Sequence, residues 1–225
     1  MVPPAMLRYA QPRKGDGRTG QDMRQNRWIT ARLLAMGLMG AMLVAPAAAQ
    51  FSDSYKFLKA VRDRDGTEVT KVVDQPGSTM INVRGDDGDG ALHIVTKRRD
   101  ATWLTFLLAK GAKPDLRNSD GNTALGIASQ IGFAEGVAVL LDRGAGVNIA
   151  NGQGETPLIL AVQARDPGIV RQLLAAGANP ALTDRASGMS ARDYAVRDRR
   201  SAAIVKQIDE ARPVKPRGPI AGPKL

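Results

Sequence analysis

No cysteine occurs among the 225 residues. The chain therefore forms no disulfide, offers no thiolate nucleophile or Cys-ligated zinc, and has no site for a lipoprotein anchor. Histidine is nearly absent as well, His93 being the single one. Any Ser-His-Asp triad or multi-histidine metal site would have to be built on that residue. An apolar run long enough to span a bilayer is also missing from the N-terminal region. The run Leu33 to Ala45 is 13 residues, short of the roughly 20 that a membrane-spanning helix needs. No twin arginine precedes it, so a folded-export route is not indicated.

That short run sits in an informative place. Residues 24–32, RQNRWITAR, are polar and positive, and the run follows them. Pro46 then breaks it, and Ala47-Ala48-Ala49 precede Gln50. A positive segment, an apolar segment and an A-x-A site together predict a secretory signal peptide over 23–49, cut between Ala49 and Gln50. The rival reading is an uncleaved anchor. Residues 1–22 are Pro-, Gly- and Arg-rich without periodicity. They read either as a misassigned start, with Met23 the initiator, or as a disordered extension.

The net charge of +10 is not spread evenly. Residues 1–49 hold 7 basic and 2 acidic residues, and residues 196–225 hold 8 and 3, leaving 17 of each sign between them. The middle of the chain is neutral. A nucleic-acid surface needs a basic patch on the folded domain with aromatics to stack on, and no nucleic-acid partner is expected.

What the chain does have is a repeat. Leu107-Leu108, Leu140-Leu141 and Leu173-Leu174 are followed by Gly111-Ala112, Gly144-Ala145 and Gly177-Ala178 at a step of 33 residues. GDGALHIV, GNTALGIA and GETPLILA begin at Gly88, Gly121 and Gly154, again 33 apart. Two independent anchors keeping one period across three copies signal a solenoid, in which each unit buries its apolar face on its neighbours. In each copy a glycine turn precedes a small-residue helix, expected over Ala91–Lys97, Ala124–Gln130 and Pro157–Gln163. Thr123 and Thr156 are placed as N-caps, and Pro157 at the first helical position. A second helix ends in the leucine pair, where glycine enters the left-handed conformation. Leu141 is expected to anchor the central unit.

GETPLILA, with the Leu-Leu and Gly-Ala that follow, resembles the ankyrin repeat over about residues 82–211. GDGALHIV matches at Gly88, Leu92 and His93, and Asn148 and Asn179 match the Asn after Gly-Ala. Departures are Gly90 for the capping Thr, Arg99 for the glycine between helices, and Gly126 and Ile159 for the histidine. The resemblance implies an all-α fold: an ankyrin-repeat solenoid of stacked helix-turn-helix units joined by β-hairpin-like turns. The repeat domain is expected over 51–211, with a capping unit at 51–84, full repeats at 85–117, 118–150 and 151–183, and a second capping unit at 184–211. The C-terminal unit shifts the register to 34 residues. Residues 212–225, with four prolines and four basic residues, read as a disordered tail, or as a polyproline ligand through two PxxP matches.

The resemblance further implies a protein-binding scaffold and no catalytic, cofactor or metal residue. His93 is implied to tie turns together. Asp86-Asp87-Gly88-Asp89 lacks the closing glutamate of an EF-hand loop and reads as a turn. The contact face implied for such repeats is the turn tip and the exposed end of the first helix. Here these are Asp86, Asp87, Asp89, Lys97 and Arg98, then Ser119, Asp120, Asn122, Gln130 and Ile131, then Gln153, Glu155, Gln163 and Ala164. Ile131 is the apolar anchor of this set. The expected partner is another protein, bound by a monomer in the periplasm or outside the cell, with no membrane contact after signal cleavage. Some exported bacterial ankyrin proteins are thought to support a periplasmic catalase. A secreted effector acting on a host protein and an enzyme on a repeat scaffold remain the alternatives.

Overall fold

The computed structural model describes residues 45–211, with side chains from Asp53 onward. Residues 1–22, the expected signal segment up to residue 44, and residues 212–225 lie outside the described residues. The chain divides into two units, Met1–Ala49 and Gln50–Leu225, and the description below concerns the second. Ten α-helices and no strand occur among the described residues. They form five helix pairs: α1 (Ala45–Asp63) with α2 (Gly66–Val73), α3 (Ala91–Lys97) with α4 (Ala101–Ala109), α5 (Ala124–Gln130) with α6 (Ala134–Asp142), α7 (Pro157–Gln163) with α8 (Pro167–Ala175), and α9 (Ala191–Arg197) with α10 (Ala202–Glu210).

The second helices stop for a reason the sequence displays. Gly144 takes φ +78°; its N–H then bonds Leu141 O, and that of Ala145 bonds Leu140 O, at 3.0 Å each. This pair of bonds satisfies two carbonyls that the helix end would otherwise orphan. Gly111-Ala112 and Gly177-Ala178 repeat the arrangement on their own leucine pairs. The alanine after each glycine is buried, as the accompanying apolar contact requires. Thr123 and Thr156 cap α5 and α7 by accepting from Gly126 N at 3.2 Å and Ile159 N at 3.3 Å. Asp65, Asp100, Asp166 and Ser190 cap α2, α4, α8 and α9 in the same way.

First helices pack on first helices and second on second, giving two layers over one continuous apolar core. The first helices carry the denser packing: Ala91–Thr96, 124–129 and 157–162 are buried without a break. That is why this sequence uses small residues there. The leucine pair divides its labour. Leu107, Leu140 and Leu173 are fully buried, while Leu141 is half-buried. The anchor of the central unit is therefore Leu140 rather than Leu141; the second leucines of the flanking pairs, Leu108 and Leu174, remain buried.

Two further points differ from the sequence reading. Asn148 and Asn179 are not equivalent positions but partners: Asn148 Oδ1 accepts from Asn179 N at 2.8 Å. The true register runs Asn82, Asp115, Asn148. Asn82 Oδ1 accepts from Lys113 N and Asp115 Oδ1 from Gly146 N, each at 2.8 Å. One side chain per unit thus holds the main chain of the next. The 34-residue step of the last unit is also localised. Asn118 N bonds Asn122 O and Asn151 N bonds Glu155 O, but Asp184 N bonds Met189 O. The extra residue sits in the last turn tip, leaving the helices in phase.

Candidate functional site

The turn tips are organised by one polar residue per unit. Asn118 Oδ1 accepts from Asp120 N and Asn122 N, and Asn151 Oδ1 from Gln153 N and Glu155 N, at 2.9–3.1 Å. In the last unit Asp184 does the same for Ser187 N and Gly188 N. The Tyr194 hydroxyl, bonded at 2.5 Å, and the Ser187 donors hold the Asp184 carboxyl down to about 2. Tips also contact one another through the backbone. Gly152 N donates to Asp120 O at 2.9 Å and Arg185 N to Gln153 O at 2.8 Å. Gly121 and Gly154, at φ +78° and +86°, make that approach feasible: a Cβ on either would lie 2.7 Å from the neighbouring amide nitrogen. The tips form a continuous edge.

His93 belongs to this edge. Its ring is fully buried, Nδ1 accepts from Gly90 N at 3.0 Å, and Nε2 lies 3.0 Å from Asn122 O. Because Gly90 N–H is a donor, the proton must reside on Nε2, which donates to the Asn122 carbonyl of the next unit. Burial pushes the imidazole below its usual range, against the carbonyl and Asp89, which favour the cation. Both nitrogens are engaged and no solvent reaches them, so His93 fastens one turn to the next. Gly126 and Ile159, in its register, need no such bond because Thr123 and Thr156 supply the cap that Gly90 lacks.

Helix ends join the tips eight residues on. Lys97 Nζ lies 2.5 Å from Asp89 Oδ2, and Gln163 Nε2 donates to Glu155 Oε1 at 3.0 Å. Of the residues expected on the contact face, Asp86, Asp87, Lys97, Arg98, Ser119, Asp120, Gln130, Gln153, Gln163 and Ala164 are exposed, and Asn122, Ile131 and Glu155 are half-buried. Asp89 has to be removed from the face. It is 4% exposed and receives Asn118 Nδ2 at 3.0 Å besides Lys97. Burial opposes its charge, but Lys97 and Asn118 outweigh it and hold the carboxyl below the usual range. Arg98 is committed in part to the interior edge, donating to Arg62 O at 2.6 Å and lying 3.2 Å from Asp100 Oδ2. Ile131 packs against the core, and its carbonyl accepts from Arg99. Among the described residues no three histidine or acidic side chains converge as metal ligands would, and no helix is long and apolar enough to cross a membrane.

One set of residues was not recognised as a set in the sequence, where Arg99 alone was noted, as a replacement for the glycine between helices. Arg64, Arg99 and Arg165 occupy the position between first and second helix at φ +60°, +58° and +57°. Each reaches the next unit: Arg64 Nε donates to Asp100 Oδ2 at 2.8 Å, Arg99 to Ile131 O, and Arg165 pairs with Asp198. The signal was available as a recurring Arg-Asp dipeptide at 64–65, 99–100 and 165–166, interrupted by Gly132-Phe133.

Helix pairs, turn-tip edge and 33-residue period define a class, the helical repeat scaffold. A family model described as ankyrin repeats (three copies) matches residues 48–151 and 92–184. The chain belongs to the ankyrin-repeat family, whose domains act as protein–protein interaction modules. No curated protein matches the sequence.

Proposed function

We propose that this ankyrin array is a non-catalytic, monomeric module working outside the cytoplasm, and that its contact surface is the edge of turn tips with the adjoining first-helix ends. The observation that carries this reading is the continuity of that edge. Tips bonded backbone to backbone, with exposed side chains at Asp120, Gln130, Gln153 and Gln163, present a rigid row to a partner, and rigidity before binding lowers the entropy cost of association. The positive segment, apolar run and Ala47-Ala48-Ala49 site support export. The partner is another protein, and a periplasmic enzyme supported by the module is the reading we favour.

Two measurements test it in the producing cell. The intact mass of the exported chain is expected to correspond to a start at Gln50; a product retaining residues 24–49 in the membrane fraction overturns the export reading. A photo-crosslinking residue placed at Gln130 is expected to capture a partner that one placed at Asp142, on α6 of the other layer, does not. Capture from Asp142 alone would put the contact surface on the second helices.

A further inference from the structure

The eight-residue pairing of tip and helix end changes at the last unit. The register of Lys97, Gln130 and Gln163 continues, with the 34-residue step, to Arg197 at the end of α9. The register of Asp89 and Glu155 continues to Met189. Where Lys97 meets a carboxylate, Arg197 meets a thioether, with Nη1 3.8 Å from Met189 Sδ. A thioether is a weak acceptor and carries no charge, so among the described residues no carboxylate compensates the Arg197 cation. The other carboxylates of this unit are committed elsewhere. Asp193 binds Ser190, Asp198 binds Arg165, and Asp209 binds Arg192. Asp184 is held by Tyr194 and Ser187, and Glu210 lies 3.8 Å from Lys206. Arg199 and Arg200, just beyond Arg197, are exposed. Arg197 opens onto a cleft of about 370 Å³ shared with Val162, Gln163, Arg165, Tyr194 and Asp198. Val196 beside it is 54% exposed.

We propose that this end of the turn-tip edge binds an acidic segment of the partner protein, with Arg197 as the anchoring residue for a glutamate or aspartate. A planar guanidinium whose described internal partner is only a thioether, at the mouth of a cleft walled by Val162 and Tyr194, fits a carboxylate on a short stem. The opposite end of the edge is unlike it, because Lys97 and Arg98 already hold Asp89 and Asp100. Polarity therefore runs along the array: the partner's acidic segment lies over the last unit and its neutral segment over the Gln130 and Gln163 helix ends. This assignment rests on the interaction-module reading and narrows it.

Anisotropy of a fluorescein-labelled peptide of alternating glutamate and alanine, titrated with the mature chain at low salt, tests it. A glutamine-for-glutamate peptide is the neutral match. The glutamate peptide is expected to bind and the glutamine peptide not. Arg197→Gln is expected to weaken binding about ten-fold, Arg197→Lys to retain part of it, and Arg171→Gln, on exposed α8 of the other layer, to leave it unchanged, all with wild-type circular dichroism. Equal binding of both peptides, equal loss in Arg171→Gln, or full binding by Arg197→Gln overturns the proposal; the last outcome would assign the affinity to the basic tail. The broader reading fails separately. Capture of a partner from Gln130 that survives Arg197→Gln keeps the module and removes its acidic preference. Absence of any captured partner alongside peptide binding through Arg197 does the reverse.

Discussion

At the scale of the residue, His93 offers a sharp test. Its neutral ring bonds Gly90 and Asn122, and its folded pKa lies below the ordinary 6.5. The unfolded chain therefore takes up a proton near pH 6.5 that the folded chain refuses, and stability falls as pH drops through that value. Stability gained from Asp184, whose carboxyl is depressed to about 2, is present above the unfolded carboxylate range and lost only below it, so the two contributions occupy separate windows. Urea unfolding at pH 7.5 and 5.5 is expected to show a loss in the wild type and a smaller loss in His93→Gln. An identical loss in both would assign the acid sensitivity to other groups. The role of His93 was legible from the resemblance; its tautomer was not, since that depends on the Gly90 N–H meeting Nδ1 and the carbonyl of Asn122, 29 residues on, meeting Nε2.

At the scale of the element, the left-handed arginines carry a cost and a gain on one residue. A non-glycine residue at positive φ costs of the order of 1–2 kcal/mol, and the side chain of Arg165 recovers part of it through Asp198. Arg165→Ala keeps the strained backbone and loses the bridge. Arg165→Gly loses the bridge and relieves the backbone. By chemical denaturation the alanine variant is expected to be less stable than wild type, with glycine above alanine by about 1 kcal/mol. Equal stability of the two variants would show that the conformation is unstrained. The helices themselves were readable to the residue over Ala91–Lys97, Ala124–Gln130 and Pro157–Gln163, because caps and glycine stops are local chemistry. The bridges were not, because they join residues 32–36 apart, and a charge run such as Lys97-Arg98-Arg99-Asp100 does not say which neighbour each charge reaches. The exposed face suffered similarly: Asp89 looks like a tip residue until Asn118, 29 residues on, is brought beside it.

At the scale of the whole array, each unit touches only its neighbours, so the cost of a defect depends on how many neighbours it has. Leu140, fully buried in the central unit, has a unit on either side; Ile208, in α10, has one. Leu140→Ala is expected to cost about 2–5 kcal/mol and Ile208→Ala less, measured by urea denaturation. Equal losses would mean that the last unit is not a terminus of the stack. The period of 33 announced the stack from the sequence; the extra residue between Asp184 and Met189 announced only a shift, and its place in a tip rather than a helix required the fold.

The Asn82, Asp115, Asn148 series bears on how such a chain can change its length. Each of these acceptors grips the amide of residue 113, 146 or 179, a group that any residue except proline supplies. The rung is blind to the identity of the side chain it meets. Lysine, glycine and asparagine occupy the receiving position in turn, and the joint is the same 2.8 Å bond. A duplicated unit would seat on its neighbours with its joints already cut, whereas Ala181, the next position in the series, has no side-chain acceptor, and the last unit is joined without this rung, through Arg185 N to Gln153 O and Arg165 to Asp198. The rung serves three joints of the array and is dispensable at the fourth.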